Sequence, residues 1–456
     1  MKKWTAGLIT AGIIAVCLAA GGTAFAEGGV DNPQVIFNPP QVTPPAAKLD
    51  SGDTAWVLVS TGMVMLMTPG LAFFYGGLVR RKNILSVLMQ CFIVLAALSV
   101  QWVLFGYSLS FSPGNWFIGS LKWIGLNGVG FEPYVAYSAT IPHQAFMIFQ
   151  AMFAVITPAL ILGAFAERMK FSAYLLFSLL WATFVYDPLA HMVWGQGGWL
   201  REMGVADFAG GTVVHINAGI AALVTAIVIG KRKCYDKHPT PPHNLPFSVL
   251  GAALLWFGWF GFNAGSALAA NGLATNALVV TNTAGAMAAL TWAFLDWRFN
   301  GNPTMLGTIS GAVAGLAAIT PAAGFVGVGA ALLIGTVASI LCFAAVGTIK
   351  HKFGYDDSLD AFGVHGISGI WGTLATGLFA TKAINAVGPN GLLAGNPRQF
   401  TIQLIAVVVT VVYVLVVTLV IYKVVDLIIG VRVVEVDEAI GLDLTQHNER
   451  AYTMLE

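Results

Sequence analysis

Apolar residues in this chain come in long runs separated by short polar breaks. A helix that crosses a bilayer leaves this pattern, with about 20 mostly apolar residues in each run. Eleven runs can be delimited, at 54–79, 84–110, 143–167, 171–192, 208–230, 247–269, 277–298, 303–320, 324–349, 360–381 and 401–429. The eighth is rich in glycine and alanine and closes at Thr320-Pro321. The expected fold is therefore an all-α membrane protein of eleven transmembrane helices. Ahead of them, residues 1–26 carry Lys2 and Lys3, an apolar stretch from about Leu8 to Ala20, and Ala24-Phe25-Ala26. Together these read as a secretory signal peptide. Residues 27–50, Pro-rich over 32–45, read as an extracytoplasmic linker, 51–430 as the membrane domain, and 431–456 as a polar tail.

Composition agrees with the pattern. The 456 residues are 57% hydrophobic and 9% charged, against about 45–50% and about 25% in soluble domains. A formal net charge of +1 offers no polybasic surface, which argues against nucleic acid as a partner. The basic residues are unevenly shared among the breaks. Arg80, Arg81 and Lys82, then Arg168 and Lys170, then Lys231, Arg232, Lys233 and Lys237, then Lys350 and Lys352, and finally Lys423 and Arg432 all follow odd-numbered runs. Lys122, Arg201, Arg298, Lys382 and Arg398 are sparser. The positive-inside rule then places the mature N-terminus outside and the C-terminus in the cytoplasm, as a cleaved export signal also requires. Of the four cysteines, Cys17 lies in the signal, Cys91 and Cys342 in apolar runs and Cys234 in a basic loop. No spacing suggests a disulfide framework or a zinc site.

Candidate chemistry begins with two histidines in apolar surroundings. Asp207-Phe-Ala-Gly-Gly-Thr-Val-Val-His215 opens the fifth run, and Asp360-Ala-Phe-Gly-Val-His365 opens the tenth. The first five runs and the next five have opposite orientations, and each set ends in a Val-His helix. Inverted repeats of this kind place substrate sites near the midplane. At 1.5 Å per residue, His215 lies about 12 Å from one edge and His365 about 10 Å from the other, so both fall near the middle of a core about 30 Å thick. Facing imidazoles can satisfy each other and share a proton; the bland alternative is two helix-gluing side chains bonded to backbone or hydroxyl groups. A metal site is disfavoured, since Asp207 is about 12 Å of helix rise from His215, and no cofactor is indicated. No nucleophile-base set suggests an enzyme. Asp207 stands where it can cap a helix start, and Asp360 is expected to do the same in the other half. Phe149, Phe153, Trp194, Phe262 and Ser266 lie where aromatic faces and a hydroxyl can cage a small cation, at roughly 0.5–2 kcal/mol per ring, although each alone is more simply packing. His143 and His191 read as interfacial.

With these motifs on the page, the sequence resembles the ammonium transporters of the Amt/Mep/Rh family, on the bacterial Amt branch. The resemblance rests on Pro69-Gly-Leu-Ala-Phe-Phe-Tyr-Gly-Gly-Leu, the Asp207 and Asp360 segments, Trp259-Phe-Gly-Phe-Asn-Ala-Gly-Ser, and Gly441-Leu-Asp-Leu-Thr-Gln-His-Asn-Glu-Arg-Ala-Tyr in the tail. It implies a homotrimer in the cell inner or plasma membrane, each subunit with its own narrow central pore. It implies ammonium recruitment by Phe153, Trp194 and Ser266, a gate of Phe153 and Phe262, a twin-histidine proton relay of His215 and His365, an electrostatic and structural role for Asp207, and pore-lining by Leu71, Phe74 and Tyr75. Ammonium or ammonia, with methylammonium as an analogue, is the implied substrate, and a cytoplasmic PII-type signalling protein the implied partner. A membrane sensor that signals through its tail is the competing function.

Overall fold

The computed structural model describes residues 47–233, 235 and 241–452, which belong to one compact unit. The signal-peptide expectation, most of the linker, and Cys17 and Cys234 lie outside these residues. Among them there is no β-strand, only two isolated bridges. The helices are α1 (Ser51–Leu78), α2 (Ile84–Phe111), α3 (His143–Phe165), α4 (171–194), the short α5 (Trp199–Met203), α6 (Gly211–Ile229), α7 (Leu245–Ala267), α8 (Gly272–Asn300), α9 (Met305–Ile319), α10 (Val328–Phe353), α11 (362–379), α12 (Pro397–Ile429), and the tail helices α13 (Glu435–Ile440) and α14 (Leu442–His447).

Nine of the described helices, taking α4 and α5 together, are long and apolar enough to cross a membrane. The runs at 303–320 and 360–381 give shorter elements. α9 has 15 residues and stops where Thr320-Pro321 was expected to stop it. α11 is a five-residue π turn continued by a 13-residue helix. Both lie largely within the packed interior, so small residues that let neighbours approach matter more to them than length does. α3 is buried along most of its length and α1 packs along α7, while α12 lies against α4, α6 and α11.

Five helical segments contain π turns, at Trp102–Gly106, Ala182–Tyr186, Gly211–Ile216, Ala345–Ile349 and Phe362–Gly366. A π turn widens the helix by one residue, shifts the side chains after it, and is frequent at functional sites. Both Val-His pairs sit on such turns.

The polar tail is docked rather than trailing. Leu442 N–H donates to Asn83 Oδ1 at 2.8 Å, Asp443 accepts from Ser86 N–H at 2.8 Å, and Glu438 accepts from Arg432 and from Lys233 N–H, each at 2.8 Å. Asp443 and Glu438 are almost fully buried in these contacts.

Candidate functional site

The site is assembled where α6 crosses α11. A Cβ on Gly219 would lie 2.2 Å from the Gly366 Cα, and one on Gly369 would lie 2.8 Å from the Ile216 nitrogen and 2.9 Å from the His215 Cβ. Only hydrogen at these positions lets the two backbones touch, and that contact brings the histidines together. The His215 and His365 rings have centroids 5.5 Å apart and planes 11° apart. His215 also lies 5.5 Å from the Trp259 ring, nearly parallel to it. The expected direct bond between the imidazoles is not formed. Both nitrogens of His215 and Nδ1 of His365 are buried without a hydrogen-bond partner. Three orphaned polar atoms in one apolar place are unusual enough to need a reason.

Around the rings lies a void of about 10 Å³, walled by Met67, Ile156, Leu160, Val214, Leu255 and Trp259 and also by Phe262. That volume is close to the least that holds one water-sized molecule. Phe262 faces Phe153 with ring centroids 4.2 Å apart and separates the void from a wider chamber of about 270 Å³. The wider chamber is lined by Phe153, Trp194, Asp207 and Ser266, with Gln150 and Arg201. On the other side, His365 also lines a chamber of about 780 Å³ toward the tail end, together with Phe74 and Tyr75. The three spaces follow one another, joined by Phe153 against Phe262 and by His365. Leu71 is fully buried in α1 and lines none of them.

The aromatic chamber is built from rigid parts. Trp194 stands 6.1 Å from Phe153, edge to face, and its Nε1 donates to the Asp207 carbonyl at 2.9 Å. Ser266 Oγ donates to Phe262 O at 2.8 Å, which leaves the hydroxyl oxygen as an acceptor. The Asp207 carboxylate accepts from Gly210 N–H at 2.8 Å, Gly211 N–H at 2.7 Å and Thr212 N–H at 2.8 Å, and from the Thr212 hydroxyl. It is thus committed to the start of α6, as its place in the sequence suggested.

In the other half the cap is Asp357, not Asp360. Asp357 accepts from Ala361 N–H at 3.1 Å and Phe362 N–H at 2.8 Å, four and five residues on, as Asp207 does in α6. Eight positions separate each of these aspartates from its histidine. Asp360 instead has φ +59° and pairs with Lys350 at 2.7 Å. Burial pushes the Asp357 carboxyl up to about 6 against the pull of Lys350. His143 and His191 are buried by protein: His143 bonds to the Tyr107 hydroxyl at 2.6 Å, and the ring nitrogens of His191 lie 3.1 and 2.9 Å from the Ser110 and Asn115 carbonyls.

Comparison with known proteins decides the family. The model described as "Ammonium Transporter Family" matches residues 55–452. An ammonium transporter of Bacillus subtilis is 55% identical over 404 residues, covering 89% of this chain and 99% of the relative. The chain belongs to the ammonium transporter family. Amt1 of Archaeoglobus fulgidus is 50% identical over 407 residues, covering 89% of this chain and all of that relative. The crystal structure of Mep2 from Candida albicans superposes with a TM-score of 0.82 at 35% identity, covering 89% of this chain and 91% of that one. A solved structure described as "Sensor Amt Protein" superposes with a TM-score of 0.80 at 28% identity, covering 87% of this chain and 98% of that one. Like other members of the ammonium transporter family, this chain is a multi-pass membrane protein.

Reading the sequence missed three residues of this transporter's candidate site. Asp357 was passed over because Asp360 starts the more obvious motif, although equal spacing to the two histidines could have found it. Arg201 counted only toward orientation. The side-chain amide of Gln150 lines the aromatic chamber with its Oε1 buried and without a partner, a feature no local pattern announces.

Proposed function

We propose that this protein transports ammonium by recruiting the cation in the aromatic chamber, removing its proton and passing ammonia through the void beside the twin histidines. The observation that carries this reading is the succession of three spaces, narrowing at Phe153 and Phe262 and reopening at His365. Ammonium brings one charge and four N–H donors. The aromatic chamber meets it with ring faces and the Ser266 oxygen. The void does not: its walls are apolar apart from imidazole nitrogens, and an ion stripped of water there would pay several kcal/mol. Ammonia is neutral and about the size of water, and the unpartnered histidine nitrogens are polar contacts for it on the way through. Potassium resembles ammonium in size and charge but has no proton to give up, so the same passage rejects it. The released proton travels by way of the His215–His365 pair, with Asp207 holding the entrance of α6 in shape. Phe153 and Phe262 act as the gate, and Phe74 and Tyr75 line the exit.

The architecture that supports this reading is an eleven-helix subunit with an inverted five-plus-five repeat and a final helix, α12. Asp207 with His215 and Asp357 with His365 are the matching parts of the two halves. The subunit assembles as a homotrimer, with the aromatic chamber outside and the tail in the cytoplasm, where a PII-type protein is the partner for the wide chamber. Residues 1–26 are removed as a signal peptide.

The test uses the purified chain in proteoliposomes carrying an internal pH dye. An inward ammonium gradient should alkalinise the lumen several-fold faster than in protein-free vesicles if ammonia crosses alone, and should produce an inward current if the proton follows. No response by either readout would reject transport. The docked tail and the likeness to a solved Amt protein described as a sensor favour a second reading, ammonium sensing with little flux. Tail movement on ammonium binding, without flux, would select it.

A further inference from the structure

A chamber proposed to collect a cation has a guanidinium at its rim. Arg201, on α5, is exposed and lines the same space as Phe153, Trp194 and Ser266. Its Nη1 donates to the Trp194 carbonyl at 2.7 Å and its Nη2 to the Ala136 carbonyl at 3.3 Å. Its Cζ lies 5.6 Å from the centroid of the Tyr137 ring. No acid pairs with it among the described residues. Asp207, the other charged residue of the chamber, has its carboxylate taken up by the backbone and hydroxyl donors of α6. The chamber therefore carries, besides the hydrogen-bonded Asp207 carboxylate, a guanidinium with no acid in contact with it, where a cation has to dwell.

We infer that Arg201 sets the affinity and residence of the transported cation: its charge opposes ammonium in the chamber, while its hydrogen bonds fix the Trp194 collar that attracts it. Attraction by ring faces and repulsion by a fixed charge act at the same point. The balance keeps the cation from settling so firmly that transfer of its proton becomes the slow step, since tight binding of a substrate adds nothing to its turnover. A larger or more highly charged cation, lacking a good fit to the rings, meets the repulsion with less in return. Because the guanidinium is exposed, its influence is screened by salt over a Debye length of about 8 Å at physiological ionic strength.

This inference rests on the reading of the aromatic chamber as the recruitment site, so its test includes controls on that reading. Initial rates of ammonium-evoked transport in proteoliposomes are measured against concentration for the wild type, Arg201→Gln, Arg201→Lys, Trp194→Leu and Ser266→Ala, at low and high salt. Arg201→Gln should lower KM by at least about twofold at low salt, the scale of one nearby charge in a watery site, and the difference should shrink as salt is raised. Arg201→Lys, which keeps the charge, should retain a KM above that of Arg201→Gln. A KM that is unchanged or raised in Arg201→Gln, while Trp194→Leu and Ser266→Ala raise theirs, overturns the repulsion by Arg201 and leaves the chamber standing. If Trp194→Leu and Ser266→Ala also leave KM unmoved, recruitment in this chamber fails together with the inference.

Discussion

Glu167, just beyond the end of α3, shows how a single side chain holds the tail end of the bundle together. It has φ +75° and is almost wholly buried, yet it bonds to Arg80 at 2.9 Å and Arg232 at 3.1 Å, while Arg232 also holds Asp356 at 2.9 Å. Burial alone would raise the Glu167 carboxyl, but Arg232 and then Arg80 outweigh it and hold it below its ordinary value. A carboxylate depressed on folding stabilises fully above its unfolded value, about 4.3, and that stability is lost as the pH falls through the folded value. The Glu167 contribution to thermal stability in detergent should thus be level down to about pH 5 and fall below about pH 4, and Glu167→Gln should remove that part of the fall. Breaking the buried cluster should itself cost about 3 kcal/mol, measurable by unfolding at neutral pH. Asp207→Ala should also destabilise, by about 1–3 kcal/mol, by leaving the first N–H groups of α6 without an acceptor. Individual residues were only partly legible in the sequence. Asp207 was found as a cap because it precedes its own helix, whereas the Glu167 cluster joins segments far apart in the chain and has no local signature.

At the scale of elements, contact between α6 and α11 positions the histidines, and it depends on glycine. Gly219→Val would drive a branched side chain into the Gly366 backbone, 2.2 Å from where a Cβ would stand. The expected outcome is a loss of about 1–3 kcal/mol in stability together with loss of ammonium-evoked flux, whereas Gly329→Ala, whose Cβ meets nothing within 4 Å, should leave both intact. Long helices were legible because twenty apolar residues in a row have few other uses. α9 and α11 were harder to bound, since they are short and their glycines and alanines serve close packing. Helix starts at Gly272 and Pro397 fall before the apolar runs they belong to: the Asn271 side chain caps the first, accepting from the Leu273 and Ala274 N–H groups, and the second opens on a proline, which has no N–H to satisfy. The π turns that carry both Val-His pairs have no sequence signal of their own.

For the molecule as a whole, the tail decides between carrying and sensing. Its backbone reaches Asn83, just before α2, and its side chains reach Ser86 at the start of α2, Lys233 after α6, and Phe171 at the start of α4, where Gln446 accepts from the backbone N–H at 3.2 Å. Composition showed only that the segment is polar; docking is a property of the folded bundle that receives it. Truncation after residue 430 should leave ammonium flux measurable in proteoliposomes, because the tail lines none of the three spaces, and should lower the unfolding temperature by removing the bonds to Asn83 and Ser86. Flux lost altogether in a folded truncation would tie conduction to the tail. The most direct measurement is electrical: currents evoked by ammonium and by potassium in proteoliposomes of the wild type, His215→Ala and His365→Ala. Transport by deprotonation beside the histidine pair requires ammonium responses without potassium responses in the wild type, and loss of the ammonium response or of its selectivity in the variants. Full ammonium-selective currents in both alanine variants would contradict it.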